Sequence, residues 1–241
     1  MACARLPFSL CCPKNKNARS LFWRAIYPGD SMNTYASMRR IFALCLAVSA
    51  LSMHYLASAN AAEIAGVKFD DTARVADQEL KLNGAGVRYK AIFKVYVAGL
   101  YIPEKKITAK DVLASPGSRR IHIVMLRGVS SEEFGQAFLA GIHKNIDKAE
   151  KTKIVGQLLR FGEIFASVPE LKKGDVLTTD WVPGTGTVMQ VNGKRIADPI
   201  PDIAFYNALL KIWLGDKPVD PKLKQVMLGD KGDDVISRNS Y

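Results

Sequence analysis

The chain has 241 residues, 48% of them hydrophobic and 24% charged, with a formal net charge of +11 that is divided between two unlike stretches. Residues 1–61 hold seven of the 34 Lys and Arg, one acid (Asp30) and all four cysteines, leaving residues 62–241 with 27 basic and 22 acidic side chains and no cysteine. The stretch after this leader is about one domain's worth of chain. Its composition excludes a disulfide framework, a Cys-based zinc site and a thiol nucleophile, and its formal charge of +5 is too small for phosphate-backbone binding, so no nucleic acid is expected as a partner.

From Met38 the sequence reads Met-Arg-Arg, then the mostly apolar run Ile41 to Leu51, then small residues ending Ala57-Ser58-Ala59-Asn60-Ala61-Ala62. A basic start, a short apolar stretch and an A-x-A-like end make residues 38–61 a signal peptide, with cleavage near Ala61 or Ala62. The apolar run falls well short of the roughly 20 residues needed to span a bilayer. Cys45 sits inside that run after Leu44, whereas a lipoprotein cysteine would end it after a small residue. Residues 1–37 are either an upstream extension from a misassigned start, since Met32 and Met38 offer later ones, or an organelle presequence; we favour the first. The expected location is periplasmic or secreted, where a body without cysteine folds without disulfides, and the expected membrane contact is through the signal segment alone.

In chain order, Glu63 to Phe69 and Gln78 to Leu82 read as short strands, followed by a glycine-rich bend at Asn83-Gly84-Ala85-Gly86. Val87 to Ile102 is rich in β-branched and aromatic residues and closes at Pro103. Read as one strand, both of its faces are apolar and both require cover. Arg119 to Leu126 is a further strand, with Ile121, Ile123 and Met125 alternating against Arg120, His122 and Val124. Ser130 and Glu133 form a capping box ahead of Phe134, Phe138, Ile142 and Ile146, which predicts a helix over about 131–147. Ile154, Leu158, Phe161, Phe165 and Val168 predict a second, stopped by Pro169.

The period then returns to two. Residues 175–182, 187–191 and 194–196 read as a meander with turns at Pro183-Gly184 and Asn192-Gly193, the latter a strong hairpin signal. Pro201-Asp202 opens a helix bearing Ile203, Tyr206, Leu210 and Trp213 on one face and capped by Gly215. A short helix covers 221–228, and residues 229–241 form a polar tail. These elements make one α+β domain over residues 62–228: a mainly antiparallel sheet with helices on one side.

Few residues in this domain announce chemistry. His122 and His143 lack matching carboxylate spacing for a metal site, and neither glycine pair is accompanied by a phosphate-loop lysine, so no metal and no cofactor is expected. Lys144, Lys148, Lys151 and Lys153 read as solvated helix-end charge. The helical aromatics either pack the core or line a cavity. Arg88, entering an apolar strand, is either a strand-end arginine that snorkels to water or a fixed donor fork for a carboxylate or carbonyl.

Leu82-Asn83-Gly84-Ala85-Gly86-Val87-Arg88, followed by Lys94-Val95-Tyr96-Val97-Ala98-Gly99-Leu100-Tyr101-Ile102, resembles the signature of chalcone isomerase-like proteins. The resemblance implies an open-faced β-sandwich, in which a large antiparallel sheet packs against a layer of helices with an apolar cleft between them. Catalytic plant members combine the motif arginine with a threonine, a tyrosine and an asparagine. Here Arg88 is kept, while Tyr96, Phe134 and Gly141 stand at the other three positions. The resemblance is closer to the fatty-acid-binding branch, which pairs the arginine with the tyrosine of Lys94-Val95-Tyr96-Val97-Ala98-Gly99. It implies no catalytic residues and a ligand set of Arg88, Tyr96 and, on the last long helix, Tyr206. The pairing carries a geometric requirement: eight residues of straight strand would put Arg88 and Tyr96 roughly 26 Å apart. A hairpin or bend must therefore intervene between Tyr89 and Val95, where no Gly, Pro, Asn or Asp marks one.

The leading expectation is thus a non-catalytic, exported binder of fatty acids or similar amphiphilic carboxylates. The alternatives are a chalcone isomerase-type intramolecular lyase acting on an aromatic enone, and an envelope interaction module with a merely structural Arg88.

Overall fold

The computed structural model describes residues 61–168 and 170–230. The expected upstream extension, the signal peptide up to residue 60, Pro169 and the tail beyond residue 230 lie outside the described residues. Seven strands form one antiparallel sheet in simple sequence order, β3 (Thr72–Val75), β4 (Gln78–Lys90), β5 (Phe93–Ile102), β6 (Arg119–Met125), β7 (Val176–Val182), β8 (Gly186–Val191) and β9 (Lys194–Arg195). A separate hairpin of β1 (Ala61–Ile64) and β2 (Val67–Asp70) precedes it. The helices are α1 (Ala109–Leu113), α2 (Ser131–Asn145), α3 (Lys148–Lys153), α4 (Val155–Ser167), α5 (Ile203–Leu214) and α6 (Pro221–Met227). This is the expected α+β class with an antiparallel sheet and a helical layer.

Five of the six helices among the described residues start where the sequence supplies a side-chain cap, α4 at Ile154 being the exception. The Ser130 side chain accepts from the Glu133 backbone, Asp147 forms a full capping box with Glu150, Asp202 opens α5, and Asp220 precedes Pro221 at the start of α6. The residues that show helical period are those that are buried. Phe134, Phe138 and Ile142 of α2, Leu158, Phe161 and Phe165 of α4, and Leu209, Ile212 and Trp213 of α5 join one face of β5 and β6 in a single core. Each such side chain contributes roughly 1.5–3 kcal/mol on burial.

Two stretches expected as single strands are hairpins. Residues 63–69 turn at Ala65-Gly66, and the long run from Val87 breaks at Ala91-Ile92 into the ends of β4 and β5. The turn at Ala91 has φ 54°, and Ala65 and Ala76 take φ 51° at the turns that precede β2 and β4. Alanine carries no turn signal, so the sequence reads through these positions as continuous strand.

The expected bend at Asn83–Gly86 is likewise corrected: β4 runs through it, with a one-residue bulge at Asn83 and a second at Val95 on β5. The Asn83 bulge keeps Leu80, Leu82, Ala85 and Val87 on the face away from the helices, where they pack with Val97, Tyr101 and Phe69. It also turns Gly84, Gly86 and Arg88 toward the helical layer, each paired with a helix-facing residue of β5. The far face is covered by the β1–β2 hairpin. Its Phe69 fills the space over Gly99, where an added Cβ would lie 2.6 Å from the ring.

Candidate ligand-binding cleft

The hairpin at Ala91-Ile92 meets the geometric requirement set by the sequence. Arg88 and Tyr96 are direct cross-strand partners of β4 and β5, one residue of bulge beyond the turn-proximal pairs. Both side chains line a cleft between the sheet and α2 whose other walls are Val95, Phe134, Phe138 and Ile212, with Lys90, Arg127 and Glu133 also lining it. Tyr96 is 6% exposed, held edge-on by Phe134. Its hydroxyl oxygen accepts a hydrogen bond of 3.1 Å from Trp213 Nε1 on α5, which leaves the hydroxyl proton to be donated. Burial pushes the Tyr96 pKa up to about 12, against the opposing effects of the Trp213 bond and the Arg88 charge. It is therefore a neutral donor throughout the ordinary pH range.

Arg88 is held by Asp220. The Arg88 Nη1 to Asp220 Oδ2 distance is 3.7 Å, an ion pair too long to be a hydrogen bond, so the five N–H donors of the guanidinium are far from spent. Asp220 has three further tasks: its Oδ2 accepts from the Tyr89 backbone at 3.1 Å, and its Oδ1 accepts from Lys222 and Leu223 as the cap of α6. The other end of α6 is tied by Asn83, whose side-chain amide donates to Met227 O at 2.7 Å and Lys106 O at 2.8 Å while its oxygen accepts from Lys106 N. Between them a Cβ on Gly84 would collide with the Val226 carbonyl oxygen, and one on Gly86 would crowd Leu223 at 3.2 Å. The Asn83–Arg88 segment is thus the track on which α6 lies, with Arg88 at the end that opens into the cleft.

Tyr206 does not join this pair. It is fully buried two turns before Trp213 on α5, about 10 Å along the helix, and its hydroxyl donates to Thr179 O at 3.4 Å. The Arg119 guanidinium sits 5.3 Å over its ring, and burial raises its pKa strongly. The structure thus does not bring Tyr206 beside Arg88 and Tyr96: it shares the α5 face that carries Trp213 but lies two turns earlier, at Thr179. Asp220 and Trp213, the partners of Arg88 and Tyr96, are the residues that the sequence does not assign to the site. An Asp-Pro helix start and an apolar helix face reveal their local roles, but not their partners on β4 and β5.

Phe134 and Gly141, at the positions where catalytic plant proteins carry tyrosine and asparagine, offer no polar group. Phe134 is a wall of the cleft, and the Gly141 Cα faces Ile212, where an added Cβ would stand 3.0 Å from a methyl. The cavity measures about 100 Å³. Phe138 also lines a second space of about 10 Å³, together with Phe161, Phe165, Tyr206, Leu209 and Trp213. Among the described residues no group of three or more His, Asp, Glu or Cys could hold a metal ion.

A curled antiparallel sheet under a helical layer, with an arginine and a buried tyrosine at an apolar cleft between them, defines a chalcone isomerase-like architecture. The family model described as chalcone isomerase-like matches residues 61–229, and the chain belongs to that family. Among solved structures it is similar to a fatty-acid binding protein of Arabidopsis thaliana, with a TM-score of 0.57 at 15% sequence identity, covering 70% of this chain and 96% of that one. The comparison with curated proteins gave no match.

Proposed function

We propose that this protein binds fatty acids or similar amphiphilic carboxylates without transforming them. The carboxylate is held by the Arg88 fork and the Tyr96 hydroxyl, and the chain is covered by Val95, Phe134, Phe138 and Ile212. The observation that carries this reading is a charged donor fork with N–H groups to spare, set side by side with a neutral hydroxyl donor at a mostly apolar cleft. A bidentate arginine with a hydroxyl beside it matches the planar, anionic head of such a ligand. Membership of the family and the likeness to a fatty-acid binding protein support it. A cavity of about 100 Å³ is smaller than the roughly 300–1,000 Å³ of ordinary ligand sites. A head group and its first carbons fit as the side chains stand, and a long chain enters by displacing Phe138.

The protein is exported in this reading, with residues 38–61 removed as a signal peptide, and the ligand is met outside the cytoplasm. Native mass spectrometry with lipid extraction of the protein recovered after export, wild type beside Arg88→Ala, tests both parts at once. A co-purifying fatty acid lost in the variant, on a chain beginning near Ala62, is the expected result. No bound lipid in either protein, together with Arg88-dependent turnover of a chalcone, would replace the binder with an intramolecular lyase.

A further inference from the structure

The tip of the β4–β5 hairpin is apolar where a turn is ordinarily polar. Ile92 is 84% exposed and Phe93 57% exposed, and these two are consecutive. Neither turn chemistry nor core packing accounts for them: the turn is made by Ala91 at φ 54°, and neither side chain joins either buried cluster. Cations surround them. Lys90 and Lys94 flank the pair on the same hairpin and are exposed, and the guanidinium of Arg127 lies 5.8 Å over the Phe93 ring from the loop after β6. Of the acids at this end, Glu133 pairs with Lys90 at 3.1 Å, Asp220 with Arg88, and Glu170 lies beside Gly128, while Lys94 and Arg127 form no ion pair among the described residues. Lys90 and Arg127 also line the cleft, so its mouth opens beside the tip.

We propose that this tip is a docking surface for an anionic phospholipid bilayer. Ile92 and Phe93 enter the boundary between head groups and acyl chains while Lys90, Lys94 and Arg127 lie among the phosphates. An apolar pair ringed by cations is the arrangement that such an interface selects, since the apolar side chains gain cover and the cations gain counter-charge in one movement. The docking goes beyond ligand binding and does not require it. It differs from the sequence-based expectation of membrane contact through the signal segment alone, because no periodic pattern in the sequence brings Arg127 beside Phe93. It places the cleft mouth at the membrane surface, where an amphiphile passes between bilayer and cleft without crossing water.

The test is sedimentation of the protein recovered after export with vesicles of phosphatidylcholine alone and of phosphatidylcholine with phosphatidylglycerol. An Ile92→Ser, Phe93→Ser double variant is expected to lower partition onto the anionic vesicles more than tenfold, and Lys94→Glu to lower it severalfold, with little binding to neutral vesicles in any case. In Phe93→Trp, the emission of the new tryptophan is expected to shift to the blue on vesicle addition and to be quenched by brominated acyl chains. Unchanged partition of the double variant, together with no shift from position 93, overturns the proposal. So does a loss of self-association in the double variant with no change on vesicles, which would make the tip an interface between two copies of this chain.

Discussion

Arg88 and Tyr96 face each other across β4 and β5, and the helix cap Asp220 lies 3.7 Å from the Arg88 guanidinium. The arginine therefore belongs to two structures at once. It is the last fixture of the track that holds α6 and the first charged group of the cleft. A ligand carboxylate must share it with Asp220.

That sharing sets the first prediction. Asp220→Asn keeps a good helix cap, since Asn and Asp are equivalent there, but removes the anion that competes for Arg88. Carboxylate affinity should rise a few fold, at a stability cost of about 1 kcal/mol for the weakened acceptor opposite the Tyr89 N–H. Calorimetric titration beside thermal unfolding checks both. Unchanged affinity would mean that Asp220 does not oppose the ligand.

The glycines of the motif act through α6 rather than through the ligand. Gly84→Ala forces a methyl into the Val226 carbonyl, which is backbone and cannot step aside cheaply. A loss of about 3 kcal/mol, the upper end for overpacking, is expected in denaturant unfolding. A neutral outcome would show that α6 is loosely held.

Chain length is set at Phe138, which lines both the cleft and the aromatic space. Phe138→Ala should join the two, shifting preference toward longer acyl chains while costing about 3–5 kcal/mol of stability. Competition among saturated acids of graded length reads this directly. An unaltered preference would place the end of the tail elsewhere.

Acid stability reports on His122, half-buried between Phe69 and Tyr101 on the far face of β6. Burial first, and the neighbouring Arg120 charge second, lower its pKa from 6.5 to about 4, with Asp70 opposing. Between those two values the unfolded chain binds a proton that the folded one refuses, so stability falls as pH drops from about 6.5 and this contribution levels off near 4. His122→Gln should flatten that part of the stability curve in urea unfolding followed across pH. A variant with the same slope as wild type would contradict the assignment.

The helices and the final meander were legible because their signals are local. The three-to-four spacing of Phe134, Phe138 and Ile142, the cap at Ser130 and the Asn192-Gly193 turn each name their own structure. The amino-terminal half carries weaker local signals. Its hairpins turn on alanines at positive φ, and its bulges at Asn83 and Val95 shift strand parity without altering composition. In the cleft, Arg88 and Tyr96 were found through a motif, whereas Asp220 and Trp213 were not placed there, since they lie more than a hundred residues along the chain and reach the site only through the packing of α5 and α6. Tyr206 lies on the expected helix and face, two turns before the residue that meets Tyr96.

Whether Arg88 and Tyr96 grip a carboxylate is read by comparing a fatty acid with the fatty alcohol of equal length. Wild type should prefer the acid above pH 6, where the ligand is charged and Tyr96 is still protonated. Arg88→Gln should lower acid affinity about 10–100-fold while leaving the alcohol nearly unchanged, and Tyr96→Phe should lower it about 3–10-fold. Equal affinity of wild type for acid and alcohol, or an Arg88→Gln protein that retains the preference, would mean that the pair does not hold a carboxylate.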